Sequence, residues 1–134
     1  MAKIESTVSK TLTDHLQLKG WMYRKLHGNM YQTGLPDLFL IGPKGHQCLI
    51  EMKGTKKEQG PLQQIDLFER CKGMQVGFLI LANKKRARVG VILGAPEGFY
   101  LMLSPFRPQE EVTPQSVEKT EKSLASWIAE PFVK

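Results

Sequence analysis

In the stretch GLPDLFLIGPKGHQCLIEMKG, residues 34–54, two strand-like apolar runs carry charge at their ends. Asp37 heads the first run, and Glu51 and Lys53 close the second. Strand side chains alternate between faces, so Leu49, Glu51 and Lys53 share one face while Cys48, Ile50 and Met52 share the other. The turn residues GPKG between the runs predict a hairpin, in which the start of one strand lies beside the end of its partner. Local pairing alone then brings Asp37 next to Glu51 and Lys53. Two carboxylates suit a magnesium ion, which keeps several waters and leans on one or two acidic side chains plus substrate phosphate. Such an ion polarises a phosphodiester and lowers the pKa of a coordinated water. A neighbouring ammonium orients that water or offsets charge in the transition state. These are the needs of phosphodiester hydrolysis; a surface cluster of opposite charges is the structural alternative.

The elements that must position these three residues are legible along the chain. Ile4, Val8, Leu12 and Leu16 recur every four residues and predict an amphipathic helix from about Lys3 to Leu18. Trp21 to Leu26 reads as a strand, and Gly34 and Pro36 forbid a helix across the loop that follows. DLFLIG is a short, nearly continuous apolar run, the mark of a strand buried on both faces. Gly60 and Pro61 fit the start of a helix that carries Leu62, Ile65, Phe68 and Cys71 and stops at Gly73. QVGFLILAN, residues 75–83, is expected as a further buried strand. VGVILG and FYLML flank APEG as a second hairpin, and a last helix from about Thr113-Pro114 buries Val117, Leu124, Trp127 and Ile128. The expected architecture is α/β: helix, three strands, helix and strand around a mixed central sheet, plus a C-terminal hairpin and helix. One domain spans 1–134, with a core of about 3–83 and an extension of about 84–134.

The 134 residues carry a formal net charge of +6, which favours a polyanionic partner or, as the bland alternative, a merely solvated basic surface. No stretch approaches the roughly 20 apolar residues of a membrane span, and the polar start MAKIESTVSK has no apolar signal core, so a cytoplasmic protein is expected. Cys48 and Cys71 show no CxxC spacing and read as reduced thiols. The three histidines are scattered and form no zinc pattern.

The elements GLPDLFLIG and LIEMKG resemble the signature of the PD-(D/E)XK nuclease superfamily, with Pro36-Asp37 and Glu51-Met52-Lys53 filling it. Glu5 on the first helix, the approach HGNMYQTGLPD and the stretch GPLQQIDLFERCKGMQVGFLIL resemble its virus-type replication-repair nuclease (VRR-NUC) branch. The resemblance runs from about Ile4 to Asn83. It implies a restriction-endonuclease-like core, and Asp37, Glu51 and the Met52 backbone carbonyl as ligands of magnesium, with manganese able to substitute. It also implies Lys53 as the catalytic lysine and Glu5 as an acidic residue joining the metal site directly or through water. A site glutamine is implied at Gln63, or at Gln64, since Gly60 stands where the family has serine. For Glu5, an exposed first-turn acid favoured by the helix dipole is the alternative.

The segment just before Asp37 offers Arg24, Lys25, His27, Asn29, Tyr31 and Gln32 for phosphate, sugar and base contacts. Lys56 and Lys57 follow the second strand, and Lys84, Lys85 and Arg86 in KKRAR extend a basic track; solvated loops are the alternative for each. The function expected is a magnesium-dependent DNA endonuclease, selective for branched DNA in the manner of a Holliday-junction resolvase, in phage or bacterial replication, recombination or repair. A homodimer is expected, with Trp127 and Phe132 as interface candidates. A nicking, flap or site-specific endonuclease of the same fold and a non-catalytic basic DNA-binding module stand as alternatives.

Overall fold

In the computed structural model the described residues are 2–26, 35–71 and 73–130, the first five as backbone only. Helix α1 (Ala2–Leu18) is followed by strands β1 (Met22–Lys25), β2 (Leu38–Ile41) and β3 (Gln47–Gly54). After a two-residue strand β4 (Leu62–Gln63) come α2 (Gln64–Phe68), α3 (Gly73–Lys84), β5 (Val89–Ala95) and β6 (Gly98–Leu103), then β7 (Glu111–Val112) and α4 (Val117–Ala129). The main sheet has the order β1-β2-β3-β5-β6. Only β3 and β5 pair in parallel; the other neighbours are antiparallel. The expected C-terminal hairpin and helix are present as β5, β6 and α4, and β5 is at the same time the strand that completes the core sheet beside β3.

Alternation along the strands divides the interior into two layers. Leu12 and Leu16 of α1 pack with Leu38, Leu40, Cys48, Ile50, Met52 and Ile92, joined by Leu124 and Ile128 of α4. On the opposite face Val89, Val91, Leu93, Tyr100 and Met102 meet Leu67 and Phe68 of α2 and Leu79 and Ala82 of α3. Strand β5 is buried from Val89 through Gly94, the pattern of a strand covered on both faces. Among the described residues no helix is long and apolar enough to cross a membrane.

Residues 75–83, expected as a strand, are instead the body of helix α3. A short apolar run does not reveal its period, and here the buried positions Leu79 and Ala82 lie three apart while Ile80 and Leu81 are exposed, which is helical spacing. The parallel pairing of β3 with β5 also requires a crossover segment, ordinarily a helix. Gly73, expected to stop the preceding helix, opens this one. The helix expected from Pro61 is shorter too. The backbones of Leu62 and Gln63 are committed to pairing with Val112 and Glu111, and Asp66 Oδ2 accepts from the Gln63 N–H at 2.8 Å, so α2 begins only at Gln64. Trp127 is half-buried: its indole N–H donates to the Ser104 carbonyl, and the Arg88 guanidinium lies 5.8 Å from the ring centroid.

Two contacts at the C-terminal end of β3 and β5 tie neighbouring elements to it. Helix α1 approaches so closely that a Cβ on Gly94 would lie 2.2 Å from Val8 Cγ1 and 3.0 Å from Val8 Cβ. In the β5–β6 turn, Glu97 Oε2 accepts from the Gln59 N–H at 2.6 Å and the Gly60 N–H at 3.1 Å, and lies 2.7 Å from the Tyr100 hydroxyl. These donors, the Gln59 amide first, hold the Glu97 carboxyl down at about 2 against an opposing effect of burial.

Gly94→Ala is expected to destabilise the protein by about 1–3 kcal/mol through overpacking, with partial recovery when Val8→Ala is added; urea unfolding measures both. Because the Glu97 pKa is depressed on folding, its stabilisation is complete above its ordinary value of 4.5 and is lost as pH falls towards about 2. Glu97→Gln should therefore lower the melting temperature at pH 7, with the gap to wild type closing as pH is lowered below 4; a constant gap would contradict this.

Candidate active site

Strand pairing builds the site. Strands β2 and β3 are antiparallel with Leu38 opposite Ile50, so Asp37 stands just past the last β2–β3 pair. Leu38, Leu40, Ile50 and Met52 point into the layer under α1, and by alternation Asp37, Glu51 and Lys53 turn to the face covered by α2 and α3. The Leu49 and Thr55 amides donate across to Arg88 and Gly94 of the β5 side, at 2.9 and 3.0 Å. A strand residue's N–H and C=O point the same way, alternating along the strand, so those of Met52 face the β2 side. There β2 has ended, and Asp37 Oδ1 takes the Met52 N–H at 2.9 Å. The Met52 carbonyl is directed to the same side. Pro36 is buried, and the Leu26 N–H donates to the Asp37 carbonyl at 2.8 Å, which anchors the backbone of the acid.

Glu51 is 3 % exposed, and the ammonium of Lys53 lies 3.2 Å from its Oε2. The same oxygen accepts from Gln75 Nε2 at 2.9 Å. Its other oxygen, Oε1, is buried with no hydrogen-bond partner among the described residues. Burial first, and the charge of Asp37 second, push the Glu51 carboxyl up to about 7, against the pull of Lys53 and Gln75. A buried carboxylate oxygen without a donor, beside a second carboxylate, is costly in water-free surroundings and is relieved by a cation. No group of three or more His, Cys, Asp or Glu side chains able to hold a metal occurs among the described residues. Two carboxylates and a backbone carbonyl nevertheless form an all-oxygen set of the kind magnesium completes with water, so these residues fit the ion that the sequence implies.

The remaining expected residues are distributed unevenly. Helix α1 starts at the end of the sheet that carries the acidic pair and Lys53, because Val8 meets Gly94, whose β3 partner is Gly54. Glu5 lies about one turn before Val8; its side chain, together with His27, Asn29, Tyr31, Gln32 and Phe132, is outside the described residues. Arg24 pairs with Phe39 on the edge strand β1 and shares the face of Asp37; Lys25 pairs with Leu38 and takes the opposite face. Lys56 and Lys57 are exposed on the loop directly after β3. Lys84, Lys85 and Arg86 precede β5, whose Val89 is level with Leu49, so the basic turn lies about 10 Å or more along the strand from Glu51, at the other end of the sheet.

Neither expected glutamine touches the three charged residues. Gln63 Nε2 donates to the Gln109 carbonyl at 3.4 Å. Gln64 is buried, donating to Glu110 Oε2 at 3.0 Å and accepting from the Arg107 N–H at 2.7 Å, so it pins the 107–110 turn. The glutamine that reaches Glu51 is Gln75, near the start of α3. It was hidden inside the run read as a strand; only its place in the first turn of a helix aims it at the carboxylate.

No protein-family model matches the chain, and no curated protein matches it in sequence. Solved structures do. A VRR_NUC domain is 23 % identical over 68 % of this chain and 84 % of its own, with a TM-score of 0.51. Hjc, a Holliday junction resolvase from Archaeoglobus fulgidus, an archaeal hyperthermophile, is 18 % identical over 86 % of this chain and 92 % of its own, with a TM-score of 0.49. With its mixed five-stranded sheet flanked by helices, the chain has the restriction-endonuclease-like fold of a VRR_NUC domain.

Proposed function

We propose that this protein is a magnesium-dependent DNA endonuclease selective for branched DNA. The observation that carries the reading is the convergence of Asp37, Lys53 and Gln75 on buried Glu51, with Lys53 and Gln75 both on one carboxylate oxygen and the other without a donor among the described residues. Asp37, Glu51 and the Met52 carbonyl would hold magnesium, which when bound supplies a polarised phosphate and a water of lowered pKa. Lys53, tethered to Glu51 and mostly shielded from solvent, offers a fixed positive charge for the developing negative charge on phosphorus. Gln75 and Lys53 together occupy Glu51 Oε2, so Oε1 would be the oxygen available to hold the cation. Glu5 joins the site as the acidic residue of the first helix. Arg24, Lys56 and Lys57 border the site as phosphate contacts, with Lys25, His27, Asn29, Tyr31 and Gln32 as further nucleic-acid contacts.

Selectivity for four-way junctions and a phage or bacterial role in replication, recombination or repair rest on the resemblance to the VRR-NUC branch. Resolution of a two-fold symmetric junction needs two symmetric nicks, and a two-fold dimer supplies two symmetric sites; the protein is accordingly proposed to act as a homodimer.

Labelled four-way junction, 5′-flap, single-stranded and linear duplex DNA, each with magnesium, manganese or EDTA, test the reading. Cutting of the junction should depend on metal and fall about 10²–10³-fold or more in Asp37→Asn and Lys53→Met. Gln75→Ala should raise the magnesium requirement about 10–100-fold, as for a residue that orients a metal ligand. Preference for flap or duplex would select another nuclease of the same fold, and binding without cutting under either metal would leave a DNA-binding module. Glu51 titrates higher in the folded protein than its ordinary 4.5, so its ionisation disfavours folding as pH rises through 7. Glu51→Gln should therefore stabilise the metal-free protein by about 1–2 kcal/mol at pH 8 and much less at pH 5, which thermal melts in EDTA read directly.

A further inference from the structure

The loop that follows the site, residues 55–60, is pinned at both ends. At its start the Thr55 N–H donates to the Gly94 carbonyl at 3.0 Å, and Thr55 Oγ1 accepts from the Lys57 N–H at 3.2 Å. At its end one carboxylate oxygen of Glu97 receives the consecutive amides of Gln59 and Gly60. The fully buried Tyr100 places its hydroxyl 2.7 Å from both that oxygen and the Gly60 carbonyl, donating to one at a time. Gly60 adopts φ +67°, a left-handed conformation that glycine tolerates without strain. Inside the loop, Gln59 Nε2 donates to the Lys57 carbonyl at 2.7 Å, and its Oε1 accepts from Arg70.

The consequence is directional. Pinning by Gly94, Glu97 and Tyr100 leaves three side chains of the loop exposed, Lys56, Lys57 and Glu58. Lys56 follows Lys53 by three residues, so its Cα lies within about 11 Å of that of Lys53. A loop with a glycine at each end and long lysine side chains would have to be ordered by the substrate; bonds to a charged carboxylate are the stronger kind and hold the backbone in place beforehand.

We propose that Glu97, assisted by Tyr100, is a positioning residue for DNA binding: from the β5–β6 turn it holds the 55–60 loop so that Lys56 and Lys57 meet backbone phosphates beside the active site. This rests on the nuclease reading above. It gives part of the C-terminal third, which carries none of the three charged site residues, a role in substrate capture.

The test is the salt dependence of binding to labelled four-way junction and linear duplex in EDTA, where nothing is cut. It compares wild type, Glu97→Gln, Tyr100→Phe, the Lys56→Ala/Lys57→Ala pair and the triple variant with Glu97→Gln, each confirmed folded by circular dichroism. Each lost duplex phosphate contact lowers the slope of log K against log salt by about 0.9. The lysine pair should therefore lower it by about 1.8, Glu97→Gln by a comparable amount and Tyr100→Phe by less. The triple variant should lose no more than the lysine pair, because both act through one loop. Manganese binding by calorimetry should be the same in Glu97→Gln as in wild type. An unchanged slope in Glu97→Gln and Tyr100→Phe, additive losses in the triple variant, or an unchanged slope in the lysine pair overturns the inference while leaving the nuclease reading standing. Should Glu97→Gln not fold, the slope of Tyr100→Phe decides alone. Wild type that neither binds nor cuts any of the DNAs sinks both.

Discussion

The Met52 amide donates to Asp37 Oδ1, and much of the site depends on the circumstance that makes this bond possible. Strand β2 stops pairing with β3 at Leu38 opposite Ile50, one residue after Asp37. The next backbone groups of β3 on that side need a partner, because a buried amide left without one is costly. Asp37 supplies it with a side chain instead of a main chain. The strand's unpaired edge thereby fixes the rotamer of one acidic residue and leaves the Met52 carbonyl directed to the same place. Parallel pairing with β5 on the opposite side keeps that edge rigid.

Against this fixed acid, Glu51 is held under tension. It is buried, faces a second carboxylate, and is only partly compensated by Lys53 and Gln75 on one of its two oxygens. A group so arranged disfavours the folded state whenever it is ionised. Burial between apolar layers makes that unsatisfied oxygen costly, and the packing of the same two layers supplies the stability that offsets it. The same strands thus build the two apolar layers and bring the charged residues together.

The helix α3 joins these two aspects. Its buried positions Leu79 and Ala82 seal the second layer, while its first turn delivers Gln75 to Glu51. In the sequence the segment is a run of apolar residues without charge, equally compatible with a buried strand. The crossover demanded by the parallel β3–β5 pair decides between them, and that pairing joins residues 49–54 to residues 89–94. The same long-range pairing carries Lys84, Lys85 and Arg86 away from the carboxylates, although the chain brings them just after a core element.

Local information determined a good part of this protein. The turn GPKG, the two-residue alternation and the apolar runs suffice to pair Asp37 with Glu51 and Lys53, because a hairpin is settled by neighbours in the chain. The four-residue spacing of Val8, Leu12 and Leu16 likewise suffices for α1, since amphipathic periodicity is a local property. Tertiary structure alone decided which glutamine meets Glu51, where Gln63 and Gln64 are committed to the 107–110 turn, and how Glu97 reaches back to Gln59 and Gly60. Those contacts join residues 24 to 46 positions apart. Their partners are chosen by which elements the sheet places side by side, and no local spacing encodes that choice.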